Sequence, residues 1–318
     1  MSKIPKDVVI TSALRTPIGK YKGSLKNISA DKLGALVIKE AIFKSSLKGE
    51  DVDEVIMGHV LTAGLGQNPA RQASIHAGVP VSKPAHIVNQ VCGSGLRSII
   101  SAYQSIKLEQ NEIVVAGGQE NMSRATHAIF LRDDKKFIFE HDEYLRNNIT
   151  LDDLEKLNTV FKENGTVTPG NSSGLNDGAA ALVLMTREKA ELKSLEILAS
   201  IVSWSSSGVE PSLMGLGPIP SIKEALIKAQ WQMEDIDLFE INEAFAAQTL
   251  AVIRELKIPE EKVNVNGGAI ALGHPIGASG SRIVATLIHE LKRQGKKKGC
   301  AALCIGGGMG IAMCVERN

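Results

Sequence analysis

Short apolar runs rich in β-branched residues alternate along the chain with stretches whose apolar residues recur every three or four positions. Parallel strands joined by helical crossovers produce this alternation, so the chain is predicted to be α/β. In the first half the pattern predicts a strand at 7–13, a helix at 30–46, a strand at 53–57, a helix at 68–77, a strand at 85–89, a helix at 93–108 and a strand at 112–116. In the second half it predicts a strand at 180–185, a short helix, a strand at 196–204, a helix at 219–229, a strand at 236–241, helices at 243–256 and 275–293, and a terminal hairpin at 300–316. The similar order suggests a duplicated unit, although matched residues are few, as in DEVIM at 53–57 beside DIDLF at 235–239. Between the halves, a charge cluster at 132–136 (RDDKK) precedes a stretch, 137–146, that reads as neither helix nor long strand. The expected organisation is a first half at 1–123, an irregular region at 124–168 and a second half at 169–318.

With 318 residues and 43% hydrophobic content, the chain can bury at least one large core and has room for two similar ones. Thirty-six basic residues against thirty-five acidic ones leave a formal charge of +1, so no overall field draws it to nucleic acid or an anionic membrane. No apolar run is long enough to span a bilayer, no basic leader or amphipathic presequence precedes the strand at 7–13, and the final residues are not a peroxisomal signal. A cytoplasmic location is the expectation. The four cysteines, Cys92, Cys300, Cys304 and Cys314, form no C-x-x-C pair and have no histidines at zinc-site spacing, so neither a metal site nor a disulfide framework is expected.

Four segments carry candidate chemistry. At 89–97 (NQVCGSGLR) a cysteine follows an apolar strand and opens a helix, where partial positive charge and unpaired N–H groups favour a thiolate. Cys92 is therefore a candidate nucleophile, the alternative being a packing cysteine among glycines that permit close strand–helix contact. At 266–280 (NGGAIALGHPIGASG) five glycines surround His274, and Pro275 stands where a helix can begin. That setting suits a base, although such turns also bind phosphate with no role for a histidine. At 303–310 (LCIGGGMG) glycines crowd a strand pair behind Cys304, which marks a bend or a close ligand approach. At 240–247 (EINEAFAA) a strand ends in polar residues, and Asn242 taken alone reads as a helix cap. Cys300 and Cys314 lie in plain apolar strands and read as packing.

Taken together, C-x-S at 92–94, N-E-A-F at 242–245, G-H-P at 273–275 and C-x-G at 304–306 resemble the four catalytic loops of the thiolase family. The similarity extends through 15–19 (RTPIG), 66–71 (GQNPAR), 116–123 (AGGQENMS) and 165–180, and the stretch from 201 through 220 is most similar to the cytosolic members that handle acetoacetyl-CoA. The resemblance implies two βαβαβαββ halves packed as α-β-α-β-α layers. It also implies thiolysis of acetoacetyl-CoA, or Claisen condensation of two acetyl-CoA, through an acetyl-cysteine. Cys92 is then the nucleophile, His274 its proton acceptor and Cys304 the base that activates the second acetyl group. One oxyanion hole uses His274 with a water held by Asn242, and the other uses the N–H groups of Cys92 and Gly306. Coenzyme A is substrate rather than cofactor, and no other cofactor is implied. Ser173 is implied at the pantetheine, Arg146 at the nucleotide, and Ala244 and Phe245 along the tunnel.

The chain departs from the family in one place. It is shorter by about 75 residues, more than loop drift explains, and the similarity lapses near 131–133 and resumes at about 136–146. In relatives that block carries the tetramerisation loop and much of the loop domain over CoA. The expectation is a homodimer that forms no tetramer, binds no nucleic acid or membrane, and has weakened activity. The competing reading is an impaired thiolase-fold protein that binds acyl-CoA or dimerises without catalysis.

Overall fold

The computed structural model describes residues 7–125 and 149–317. The first half comprises β1 (Val8–Arg15), β2 (Gly19–Lys20), α1 (Ala30–Lys44), β3 (Glu54–Gly58), α2 (Pro69–His76), β4 (Ala85–Val88), α3 (Ser94–Lys107), β5 (Ile113–Asn121), α4 (Leu151–Glu155), β6 (Asn176–Thr186) and α5 (Arg187–Leu192). After it come β7 (Ala199–Gly208), α6 (Pro218–Ala229), β8 (Leu238–Ile241), α7 (Ala246–Leu256), α8 (Ala269–Leu272), α9 (Ile276–Gln294), β9 (Lys298–Ile305) and β10 (Met309–Glu316). Local signals account for several boundaries. Asn68 caps α2 by accepting from the Arg71 N–H with Pro69 next in line, and Gly295 closes α9 in the left-handed region.

Strand order makes the duplication explicit. The sheet runs β4-β3-β5-β6-β1-β7-β10-β9-β8, with β2 paired to β6. In the first half β3 and β5 are parallel while β5, β6 and β1 are antiparallel neighbours, and β8, β9, β10 and β7 repeat that arrangement. The counterpart of β4 is reduced to one parallel bridge between Phe239 and Val263. The halves join where Val9 and Ile10 of β1 face Ser200 and Ala199 of β7. This corrects the boundary drawn at 169 from the sequence. Strand β6 lies between β5 and β1, so the irregular region interrupts the first half, and the halves divide between Thr186 and Ala199.

Three buried clusters define five layers. Helices α1 and α2 cover one face of the first half's strands through Leu33, Ile38, Ala70 and Ala73. Helices α6 and α7 cover the far side of the second half through Ile222, Leu226, Val252 and Leu256. Between the sheet halves, α3 and α9 share the largest core, where Leu96, Ile99, Ile283 and Leu287 meet strand residues of both. Strands buried on both faces carry continuous apolar runs rather than an alternation, and so β5 and β6 are buried along nearly their whole length. Cys300 and Cys314 face each other in register within the outer core, as packing residues do.

Candidate active site

The central layer brings the amino ends of α3 and α9 together. A methyl group on Gly95 of α3 would meet the Ser281 nitrogen at 2.8 Å, and one on Gly280 of α9 would meet the Leu96 nitrogen at 2.2 Å. Gly58 and Gly118, at the ends of β3 and in β5, approach the Gly277 carbonyl just as closely. Backbone contact at this junction excludes any side chain, and it anchors the turns that carry Cys92 and His274. Beneath it, the Glu120 carboxylate accepts from the N–H groups of Gly277, Val60 and Leu61, and His59 lies 3.4 Å away. Burial pushes the Glu120 carboxyl up to about 7 against the pull of those three donors.

Cys92 is held by a tight turn. Val91 adopts a φ of +46°, uncommon for a β-branched residue, and the Ser94 hydroxyl closes the turn by donating to the Val91 carbonyl over 2.6 Å and accepting from the Gln90 N–H at 2.9 Å. The Gly306 N–H is directed at the Cys92 sulfur, which also feels its own backbone N–H. Burial outweighs both and raises the thiol above its ordinary value, contrary to the lowering expected from a helix start. Cys304, near the end of β9, is pushed up to about 12 by burial and then by the charge of Cys92, whose sulfur is close enough for that charge to be felt. The turn after Cys304 requires glycine. Gly307 and Gly308 have φ of +91° and +87°, and a side chain on Gly308 would strike the Val209 carbonyl at 2.5 Å.

His274 follows Gly273, whose φ of +115° and contact with the Asn176 side chain exclude other residues. Asn176 accepts from the His274 N–H at 2.9 Å and donates to the Gly19 carbonyl, so a first-half strand fixes the histidine backbone. Ser279 donates to the Pro275 carbonyl over 3.0 Å, which leaves its oxygen to accept from His274 Nδ1 at 2.5 Å. The proton is therefore assigned to Nδ1, and Nε2 presents a lone pair, 3.4 Å from Asn242 Nδ2. Burial, assisted by the Arg282 charge, drives the imidazole down to about 3 and keeps it neutral. Asn242 is buried beside β9 with its N–H on the Ala302 carbonyl, and α7 begins only at Ala246, so Asn242 is not the cap of that helix. Glu243 accepts from the Ile270 N–H and ties this turn to the glycine-rich one.

The positions that the resemblance implies at coenzyme A form a second group. The Ser173 N–H donates to the Ala244 carbonyl, the Ala246 N–H donates to Asn171, and Ser172 bridges Phe245, so 171–173 lines up against 244–246. Phe161 packs edge-on against Phe245 with ring centroids 6.1 Å apart. Arg146 lies outside the described residues. Ser94, Asn176, Ser279 and Arg282 were not singled out as functional from the sequence. The available signals were Ser94 as the last residue of C-x-S, Ser279 one helical turn beyond Pro275, and Arg282 as a lone cation among the small and apolar residues that open α9.

The thiolase N-terminal domain matches residues 8–132 and 128–188, and the thiolase C-terminal domain matches 195–317. The cytosolic acetyl-CoA acetyltransferase of Rattus norvegicus is 45% identical over 390 aligned positions covering 98% of each chain. The acetyl-CoA acetyltransferase of Cupriavidus necator is 45% identical over 391 positions, covering 98% of this chain and all of the relative. The rat alignment exceeds the 318 residues of the chain by 72 positions, and the N-terminal domain match breaks at 128–132, near the lapse noted in the sequence. Among solved structures, the Bacillus anthracis acetyl-CoA acetyltransferase superposes with a TM-score of 0.95 at 38% identity over the whole of both chains. Human mitochondrial 3-ketoacyl-CoA thiolase in complex with CoA gives 0.93 at 36% identity over 98% of each.

Proposed function

The chain belongs to the thiolase family, and from that premise we propose that it is an acetyl-CoA acetyltransferase, cleaving acetoacetyl-CoA with CoA or joining two acetyl-CoA in the reverse direction. The observation that carries this reading is that Cys304 feels the charge of Cys92, whose sulfur the Gly306 N–H reaches, while Asn242 lies 3.4 Å from a neutral His274 imidazole.

Cys92 attacks the carbonyl of an acyl-CoA, a new S–C bond replaces that of the thioester, and its proton passes to His274 Nε2 and on to the departing CoA sulfur. Burial holds both the thiol and the imidazole neutral at rest, so the proton moves as the sulfur attacks, not beforehand. In condensation Cys304, once its own proton is lost and it stands as a thiolate, removes a proton from the methyl carbon of a second acetyl-CoA. That carbon bonds to the acetyl carbon, and the Cys92 sulfur leaves. Negative charge grows on a thioester oxygen in both steps, and the N–H groups of Cys92 and Gly306, together with a water held by Asn242 and His274 Nε2–H once it has taken the Cys92 proton, stabilise it by about 3 kcal/mol each. Ser173, Ala244 and Phe245 line the pantetheine arm, and Arg146 meets the nucleotide. Coenzyme A serves only as substrate, with no further cofactor, and the enzyme works in the cytoplasm.

The block missing relative to the family weakens CoA binding and slows condensation, because positioning contacts are lost and water reaches the acyl-enzyme. Steady-state assays with acetoacetyl-CoA and CoA check this, and ordinary saturation and turnover would refute it. The acyl transfer itself is tested by mass spectrometry after incubation with acetyl-CoA. An acetyl group on Cys92 supports the enzyme, whereas CoA binding without acylation supports a protein that has kept the fold and lost the reaction.

A further inference from the structure

Arg282 lies in the second turn of α9 and is 2% exposed. Its guanidinium sits 3.7 Å from the Glu240 carboxylate and donates from Nη2 to the Asn242 side-chain oxygen over 3.5 Å. Glu240 and Asn242 flank Ile241 where β8 ends, so one arginine from the central layer reaches both polar residues of that strand end.

An amide offers an acceptor at one end and donors at the other, whereas a guanidinium offers donors alone. With the Asn242 oxygen held by Arg282, Nδ2 faces His274 Nε2 at 3.4 Å. Turning the amide over would set NH₂ against the guanidinium and oxygen against the imidazole lone pair. Both bonds would be lost, and each buried group left without a partner costs about 1–3 kcal/mol. We propose that Arg282 is a positioning residue for acyl transfer, fixing which end of the Asn242 amide faces the nitrogen that takes the Cys92 proton. The proposal rests on the acyl-transfer reading given above. Glu240 is the acidic side chain facing this buried cation, and burial raises its carboxyl to about 8 against the downward pull of the Arg282 charge.

The paired variant Arg282→Met/Glu240→Gln removes both charges at similar volume, a change that buried ion pairs often tolerate. Acetylation of Cys92 is expected to slow by about 100-fold at unchanged KM for acetyl-CoA, with the Asn242 amide turned or withdrawn from His274 in the variant's neutron structure. Adding Asn242→Ala to this variant should cost little more than Asn242→Ala alone, because the residues act through one another. Where the paired variant does not fold, Arg282→Lys, which keeps the buried charge but not the planar fork, enters the same cycle. Multiplicative losses, or wild-type acetylation with Asn242 still in place, would overturn the proposal. Absence of acetylation in the wild type would sink the function instead, and a neutron structure of the variant, which separates nitrogen from oxygen, then decides the amide orientation by itself.

Discussion

At the scale of single residues the site is built from groups held neutral. Both thiols are raised by burial and His274 is driven far below its ordinary range, so no thiolate–imidazolium pair forms at rest. Alkylation of Cys92 by iodoacetamide, followed by mass spectrometry, should therefore climb about tenfold per pH unit through pH 8 and past 9. A plateau near pH 7 would show a thiolate already formed. The two cysteines should also separate by step. Cys304→Ala should leave the burst of CoA released on acetylation of Cys92, yet slow condensation by about 10²- to 10⁴-fold, whereas Cys92→Ser should remove the burst. Stopped-flow measurement of CoA release distinguishes these outcomes.

At the scale of elements, the contact between α3 and α9 sets the distance between the two catalytic turns. Gly280→Ala places a methyl group against the Leu96 backbone nitrogen at 2.2 Å, and no side-chain rotation relieves that clash. Thermal unfolding should show a loss of about 1–3 kcal/mol, and the acetylation rate should fall with it because the helices must move apart. Unchanged stability would mean that the junction is looser than its geometry indicates. Most elements were legible in the hydrophobic pattern because each is long and strongly periodic. The extents of β5 and β6 were not. β5 continues to Asn121 through Gly117, Gly118, Gln119 and Glu120, and polar or glycine residues in a strand carry no periodic signal when tertiary packing buries both faces.

At the scale of the whole molecule, the duplicated halves supply a complete frame without the missing block, since the described strands and the central helices lie outside it. The protein is therefore expected to purify as a homodimer, and light scattering should find no tetramer. A stable tetramer would show that contacts elsewhere replace the absent loop. The half boundary could not be read correctly from the chain because β6, which follows the irregular region, returns to pair between β5 and β1. A strand's partners are set by long-range hydrogen bonds, and those leave no local trace.

Residue identity alone was enough to determine the α/β class, the family resemblance and the four loops around Cys92, Asn242, His274 and Cys304, because chemistry that needs a nucleophile, a base and close backbone approach restricts which residues can stand there. Only the tertiary structure decided their protonation, the tautomer of His274 and the involvement of Asn176, Ser279 and Arg282. Those properties depend on burial and on partners from distant segments. The physical reason is that the free energy of a charge or a hydrogen bond is set by what surrounds it in space, which the linear order of residues does not specify.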